Sequence, residues 1–594
     1  MNNQALLSRT HIPIGIVAAV LILLTSIGVC GQKAPSRGAR NHYEKGIKLL
    51  EKQQLDQAIA ELLTATKLNP RLAVAHKALG TALINKGEIH AAGESFRRAI
   101  EINPALYEAH IGLINVLKQT GDLEGAIAIS KKAVALKPGE ADAHLLLGQI
   151  YQQNRDLDSA ISQFREAKQL KPTLAEPHFH LGFALGVKGL LQDSIPELEA
   201  AVRLKPDYGD AQYYLGAARW FSNDVDGAIA ALKAATTLLP NHADAHYYLG
   251  LALQKNNDLQ GAIAELRIAV RLAPDMFEAA QALGRALLKD GDVDGAIELF
   301  RTVVKLKPGL VRAHNDLGLA FVQRRDPDNA IAAFNAALNF DPNDLVAHYN
   351  LGMVLIQKGD YSGAVEQYRK LVVLAPDNAE IHYNLGLALK QKDLLDEAVI
   401  ELRKAIALQP SLPEANYMLG VIFSQQSKPG DAAPALKAAI AAKPDYAEAH
   451  YALGTVLQQQ GNLDDAIASF KQALKYAPHA AEIHNSLGTA LSRKGDKNAA
   501  RVEFQEAARL NKLKSDKQAG VFATNAGIAL LKEGKVDAAI EKLEAAINLD
   551  PTNAQAHYNL ASALQTKGER AAAQSAYQKA KELDPRVKPL PEQE

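Results

Sequence analysis

The chain has 594 residues, with 66 basic and 66 acidic side chains, one cysteine and one tryptophan. Zero net charge excludes a general nucleic-acid binder, which needs a basic surface to displace counterions. One cysteine excludes a disulfide scaffold and a zinc site of several thiolates, and a hydrophobic fraction of 48% excludes a disordered chain.

The first element is an apolar run. Residues 12–31 carry no charge, and Cys30 stands where the run ends. Three readings follow: a cleaved signal peptide, a lipoprotein signal that leaves Cys30 acylated, or an uncleaved membrane anchor. Val29 is larger than the residue that usually precedes a lipidated cysteine. As an anchor, Lys33, Arg37 and Arg40 after the run would place the remainder in the cytoplasm. As a signal, the segment places it in the cell envelope, periplasmic or membrane-anchored. Export is favoured because Arg9, the apolar run and Cys30 come in the expected order. Residues 1–38 are assigned to this segment and a short linker.

Beyond it the sequence is periodic. Proline recurs every 34 residues from Pro70 to Pro478, Lys512 takes the next place, and the series resumes at Pro551 and Pro585. Sixteen units result: fourteen over 39–514, a five-residue insertion at 515–519, two over 520–587, and a tail at 588–594. With the proline as position 32, position 8 is Gly in 14 of 16 units, the exceptions being Ile114 and Ala561. Position 20 is Ala except at Ser194, and position 27 is Ala except at Val303 and Leu371.

Apolar or small residues at positions 4, 7, 8 and 11 form one helical stripe, and those at 20, 24 and 27 form another. A turn such as Lys358-Gly359-Asp360 separates the two helices. Gly at 8 and Ala at 20 and 27 let the paired helices approach closely. The proline lacks an amide hydrogen and ends the second helix. Each unit buries its faces only by stacking on neighbours, so the predicted fold is an all-α solenoid of about 16 helix–turn–helix repeats. The insertion, with Lys512, Lys514 and Lys517 around it, reads as a solvated loop acting as a joint.

This pattern resembles the tetratricopeptide repeat family over residues 39–587. The run Ala-His-Tyr-Asn-Leu-Gly at 347–352 resembles the repeats of O-linked N-acetylglucosamine transferase. The resemblance implies a right-handed superhelix whose concave groove binds a partner. Seven residues follow the last repeat, so the expectation covers the scaffold and not the transferase activity. A departure is His at position 4 in 12 units, from His42 to His557.

Neighbouring histidines of this ladder lie on equivalent helices at least about 8–10 Å apart. They cannot share a metal, and local hydrogen bonding is the expected role. Acidic residues at position 2, such as Glu380 and Glu448, complement the helix dipole. No phosphate-binding loop, zinc-protease helix or nucleophile elbow occurs. The chain is therefore read as no enzyme, with no cofactor and no metal.

In the family, positions 2, 5, 6, 9, 12 and 13 of the first helix line the groove. On that basis the expected partner-binding residues are Tyr213, Tyr247, Tyr349, Tyr383, Tyr417 and Tyr451 at position 5. They include Asn350, Asn384, Asn525 and Asn559 at position 6, and Gln357, Gln391, Gln425 and Gln459 at position 13. Amides can pair with a peptide backbone irrespective of its sequence, and Tyr adds a rigid contact with a polar tip. Phe179, Phe183, Tyr214, Trp220, Phe221 and Tyr248 form a second aromatic concentration, with Trp220 read as either core or groove. The carboxylate clamp of chaperone-binding relatives is missing, because Lys77 is followed by Thr81 and not by Asn. The expected partner is a protein or peptide segment, with glycan as the alternative. Nucleic acid is excluded, and the membrane is met through the N-terminal segment. The alternative roles are an accessory of cell-envelope assembly and the regulatory subunit of an enzyme on another chain.

Overall fold

The computed structural model describes residues 37–590. The apolar run and Cys30 lie outside the described residues. Among those described, 31 α-helices follow one another from Arg37–Glu51 to Arg570–Leu583, and no strand occurs. The protein is all-α, as the periodicity predicts. It forms two compact bodies, one ending at Arg324 and the other beginning at Arg325.

Repeat 10 shows why these residues make this unit. Its first helix, Leu345–Lys358, ends on Gly359 at φ 84°, whose amide bonds the carbonyls of Leu355 and Ile356. Only a residue that tolerates the left-handed region closes the helix this way. Asp360 follows and caps the second helix, Tyr361–Leu374, by accepting from the Gly363 amide at 2.9 Å. Ala375, the residue before Pro376, leaves helical geometry at φ −141°. Steric conflict with a following proline ring disfavours the α region there.

The two helices meet at position 8. A Cβ on Gly352 would stand 2.8 Å from Cζ of Tyr368, the fully buried residue at position 24. Phe or Leu at position 24 makes the same contact elsewhere, as Phe164 does with Gly148 and Leu402 with Gly386. Repeat 3 reverses the sizes. Ile114 stands at position 8, Ser130 at position 24, and both are buried. Total volume across the joint is what the packing requires, and either partner can supply it.

The insertion departs from expectation. It is no loop: residues 515–519 lie inside one continuous helix, Lys497–Lys532, of 36 residues. Fusion of the second helix of repeat 14 with the first of repeat 15 explains an odd helix count. Lys512 replaces the proline that breaks every earlier junction, and Lys, Ser, Gln and Ala between 512 and 519 carry the helix through without a breaker.

Candidate functional site

The position-4 histidines are structural. Ten of them place Nε2 at 2.8–3.2 Å from the carbonyl of the proline six residues earlier. The carbonyl accepts, so Nε2–H donates. In His178, His246, His382 and His484, Nδ1 lies 2.6–2.7 Å from a glutamate oxygen on the second helix. His144 and His348 meet Gln163 and Gln367 instead. These six rings tie the preceding turn to both helices of their repeat. Among the described residues no group of three or more His, Cys, Asp or Glu could hold a metal ion.

The open surface of the first helices is built from positions 2, 9 and 13, which share one side by helical spacing. In the helices Leu345–Lys358, Ala379–Gln391, Pro413–Gln425 and Ala447–Gln459, position 13 is Gln357, Gln391, Gln425 and Gln459, and all four are exposed. Position 9 adds Met353, 45% exposed, and the half-buried Leu387, Val421 and Thr455. Position 2 contributes Val346, Glu380, Glu414 and Glu448. The result is a row of amides beside a mostly apolar row and, past repeat 10, an acidic one. The apolar row was not singled out from sequence, although position 9 belongs to the same helical face as position 13.

Position 5 is different. Tyr349, Tyr383, Tyr417 and Tyr451 are half-buried between successive first helices. The Tyr349 hydroxyl donates to Glu380 at 2.7 Å and accepts from the Asn384 amide at 3.4 Å. Tyr417 packs its ring 5.0 Å from Tyr446, and the Tyr451 hydroxyl lies 3.4 Å from Ser486 Oγ. These tyrosines join one repeat to the next and offer a partner only an edge.

Two expected groove residues are interior. Tyr213 is 6% exposed, in contact distance of His242 with ring centroids 4.4 Å apart, and Asn384 is 5% exposed. Positions 5 and 6 face the neighbouring repeat, so their exposure depends on what the neighbour brings. Asn350 is half-buried and borders the glutamine row. Tyr247 is half-buried in the first body; burial first, and the Glu278 charge second, push its phenol up to about 12. Asn525 is exposed on the long helix, and Asn559 returns its amide to the Gln555 carbonyl at 2.7 Å. The fourteen expected residues therefore do not share one surface.

The aromatic concentration of repeats 5–7 is also mostly core. Phe179, Phe183 and Tyr213 are buried, with Phe183 and Tyr214 centroids 4.7 Å apart. Arg219 occupies position 11 and turns to Glu199, at 2.6 Å, and to the Gly227 carbonyl. Trp220 then packs against the cluster of Tyr213, Leu232 and Leu249 with Lys255 over its ring at 5.4 Å. Trp220 is half-buried there, and Phe221 beside it is 50% exposed.

Tetratricopeptide repeat profiles match residues 43–107, 119–178, 218–277, 282–344, 352–412, 417–515 and 527–587. The chain belongs to the tetratricopeptide repeat family. The matches stop at 515 and resume at 527, a gap that lies in the second half of the long helix. No curated protein matches the chain. Among solved structures, one titled as the crystal structure of MamA is 30% identical over 28% of this tetratricopeptide repeat chain and 96% of its own, with a TM-score of 0.27. One titled as YrrB, a TPR protein with an unusual peptide-binding site, is 27% identical over 32% of this chain and 98% of its own, with a TM-score of 0.29. A MamA from Desulfovibrio magneticus RS-1 is 21% identical over 29% and 96%, with a TM-score of 0.28.

Proposed function

We propose that this protein is a non-catalytic scaffold that holds an extended polypeptide segment across the first helices of repeats 10–13. The exposed row Gln357, Gln391, Gln425 and Gln459 carries the reading. Four amides at equivalent places, each with a donor and an acceptor, suit a repeating peptide backbone. Met353, Leu387 and Val421 beside them supply apolar contact. Glu380, Glu414 and Glu448 favour a segment with basic side chains. Membership of a family of stacked helical repeats supports a binding role, since such stacks create extended surfaces. Replacing the four glutamines with Ala and probing a peptide array against a glycan array tests this. Peptide capture should fall at least tenfold while the melting curve stays unchanged. Undiminished capture, or capture of glycans only, would sink the proposal.

Tethering or export by the N-terminal segment belongs to the same proposal and rests on the apolar run and Cys30 in the sequence. Among the described residues no helix is long and apolar enough to cross a membrane. Lipid labelling of the wild-type chain and of Cys30→Ser decides the lipoprotein reading: label must be present in the first and lost in the second.

A further inference from the structure

A regular joint between repeats has two faces. The second helix presents position 24, which lies against position 8 of its own repeat and position 6 of the next. Phe96 shows both, because a Cβ on Gly80 or on Gly112 would fall within 2.9 Å of its ring. Phe164 meets His180 of the next repeat in a stack at 5.3 Å. Both phenylalanines are buried, at 1% and 0% exposure. Phe504 holds the same place in repeat 14 and lies against its own Gly488, yet it is 39% exposed. The uncovered groove, of about 330 Å³, is lined by Ser492, Lys497, Arg501, Phe504, Gln505 and Ala508.

The other face of the same joint is open too. The first helix of repeat 15 is the later part of Lys497–Lys532, where Phe522 is 67% exposed and Asn525 is exposed. These two faces cannot meet within one straight helix. Phe504 and Asn525 stand about 32 Å apart along it at 1.5 Å per residue. They are nonetheless matched in size. At most other joints position 3 of the next repeat is alanine opposite a larger residue at position 28, and Val304 and Ala313 share one packed cluster. Val270 and Ala279 repeat the arrangement. Here position 28 is Ala508 and position 3 is Phe522, the kind of reversal that Ile114 and Ser130 make inside repeat 3.

We infer that a second copy of this chain covers both faces, the two long helices pairing antiparallel. Keeping the register of the regular joints sets Phe504 of one copy at Asn525 of the other and Phe522 at Ala508. Each contact then occurs twice, about a two-fold axis beside Lys514 and Ser515. Phe504, Ala508, Asn511, Ser515, Ala519 and Phe522 recur on one side of the helix by spacing, and all are exposed. Ala508, Ser515 and Ala519 are small enough for close approach, while Lys514 and Lys517 fall off this side. The two copies exchange what one bent chain would keep to itself, a closed and self-complementary association.

The test uses the full chain. Light scattering at micromolar concentration should give twice the chain mass, and Phe522→Glu should return a single-chain mass with helicity unchanged. Co-expressed Gln505→Cys and Asn525→Cys chains, each also carrying Cys30→Ser, should form an interchain disulfide. A single-chain mass for the wild type, or a pair that survives Phe522→Glu, overturns the inference. So does a disulfide closing within one chain that carries both cysteines, which would show that the helix bends and repeats 15 and 16 fold back.

Discussion

The joint between positions 8 and 24 allows a quantitative test of how the repeat is packed. In Gly352→Ile the new Cβ would lie 2.8 Å from Cζ and 2.9 Å from Cε2 of Tyr368. Carbon atoms prefer about 3.5–4.0 Å. The ring is fully buried and has nowhere to swing, so the cost is at the upper end of the about 1–3 kcal/mol typical of overpacking. Tyr368→Ser alone leaves a cavity costing about 3–5 kcal/mol. Independent effects would therefore sum to about 6–8 kcal/mol. Repeat 3 already uses Ile114 against Ser130, so the double variant should cost no more than about 3 kcal/mol, a coupling of at least about 3 kcal/mol. Some cost remains because Leu146 of repeat 4 packs on the far side of the repeat 3 joint, where repeat 11 offers repeat 10 the smaller Asn384. Stacked repeats open locally, so amide exchange of helices Leu345–Lys358 and Tyr361–Leu374 should be followed beside denaturant unfolding. Additivity within about 0.5 kcal/mol would refute the packing argument.

Other outcomes follow from single groups. The Tyr368 hydroxyl is buried with no hydrogen-bond partner, and burial pushes its phenol up. Tyr368→Phe should raise stability by about 1 kcal/mol, and a loss on denaturant unfolding would mean the hydroxyl is bonded. Asn384→Ala should lower stability by about 1 kcal/mol, since its amide serves Tyr349 inside the stack; an unchanged melting curve would return Asn384 to the surface. Burial against Phe164 and Phe179 first, and Lys118 second, push His180 down from 6.5 to about 4. The unfolded chain takes that proton first, so stability is whole above pH 6.5 and is lost as pH falls toward 4. The loss is about 3 kcal/mol, and His180→Leu should remove it from melts across that window; identical slopes would show the ring is free to charge. Glu401, held below its ordinary value by Lys404 and His382 against the opposing effect of burial, stabilises above pH 4.5 and stops doing so as pH falls through its lowered value. Glu401→Gln should flatten acid melts there, and an unaltered acid slope would mean that the carboxylate gains nothing from folding.

The fold was legible because each repeat states its own requirements locally. Glycine at 8, alanine at 20 and 27 and proline at 32 are steric conditions for two close helices and a turn. They hold whatever the neighbouring repeats contain. The histidine ladder was legible for the same reason, since its bonds to the proline carbonyl stay within one short stretch of chain. The binding face was only partly so. Helical spacing puts positions 2, 9 and 13 on one side, and the four glutamines of position 13 are exposed there. It could not place positions 5 and 6, which lie at the border of that side and are covered or bared by the next repeat.

The sequence by itself determined an all-α array of 34-residue repeats, the places of its turns, and the structural use of its histidines, because each depends on residues close in the chain. Only the tertiary structure decided that Tyr213 and Asn384 are interior, that Trp220 packs half-buried against the cluster of Tyr213 and Leu249, and that residues 515–519 are helix. The first two depend on which side chains a neighbour brings against the same face. The last depends on a competition: without a proline at 512, continuing the helix keeps every backbone hydrogen bond, whereas folding back would break several to cover Phe504. That competition leaves the two matched faces of the long helix open, a consequence no count of residues could show.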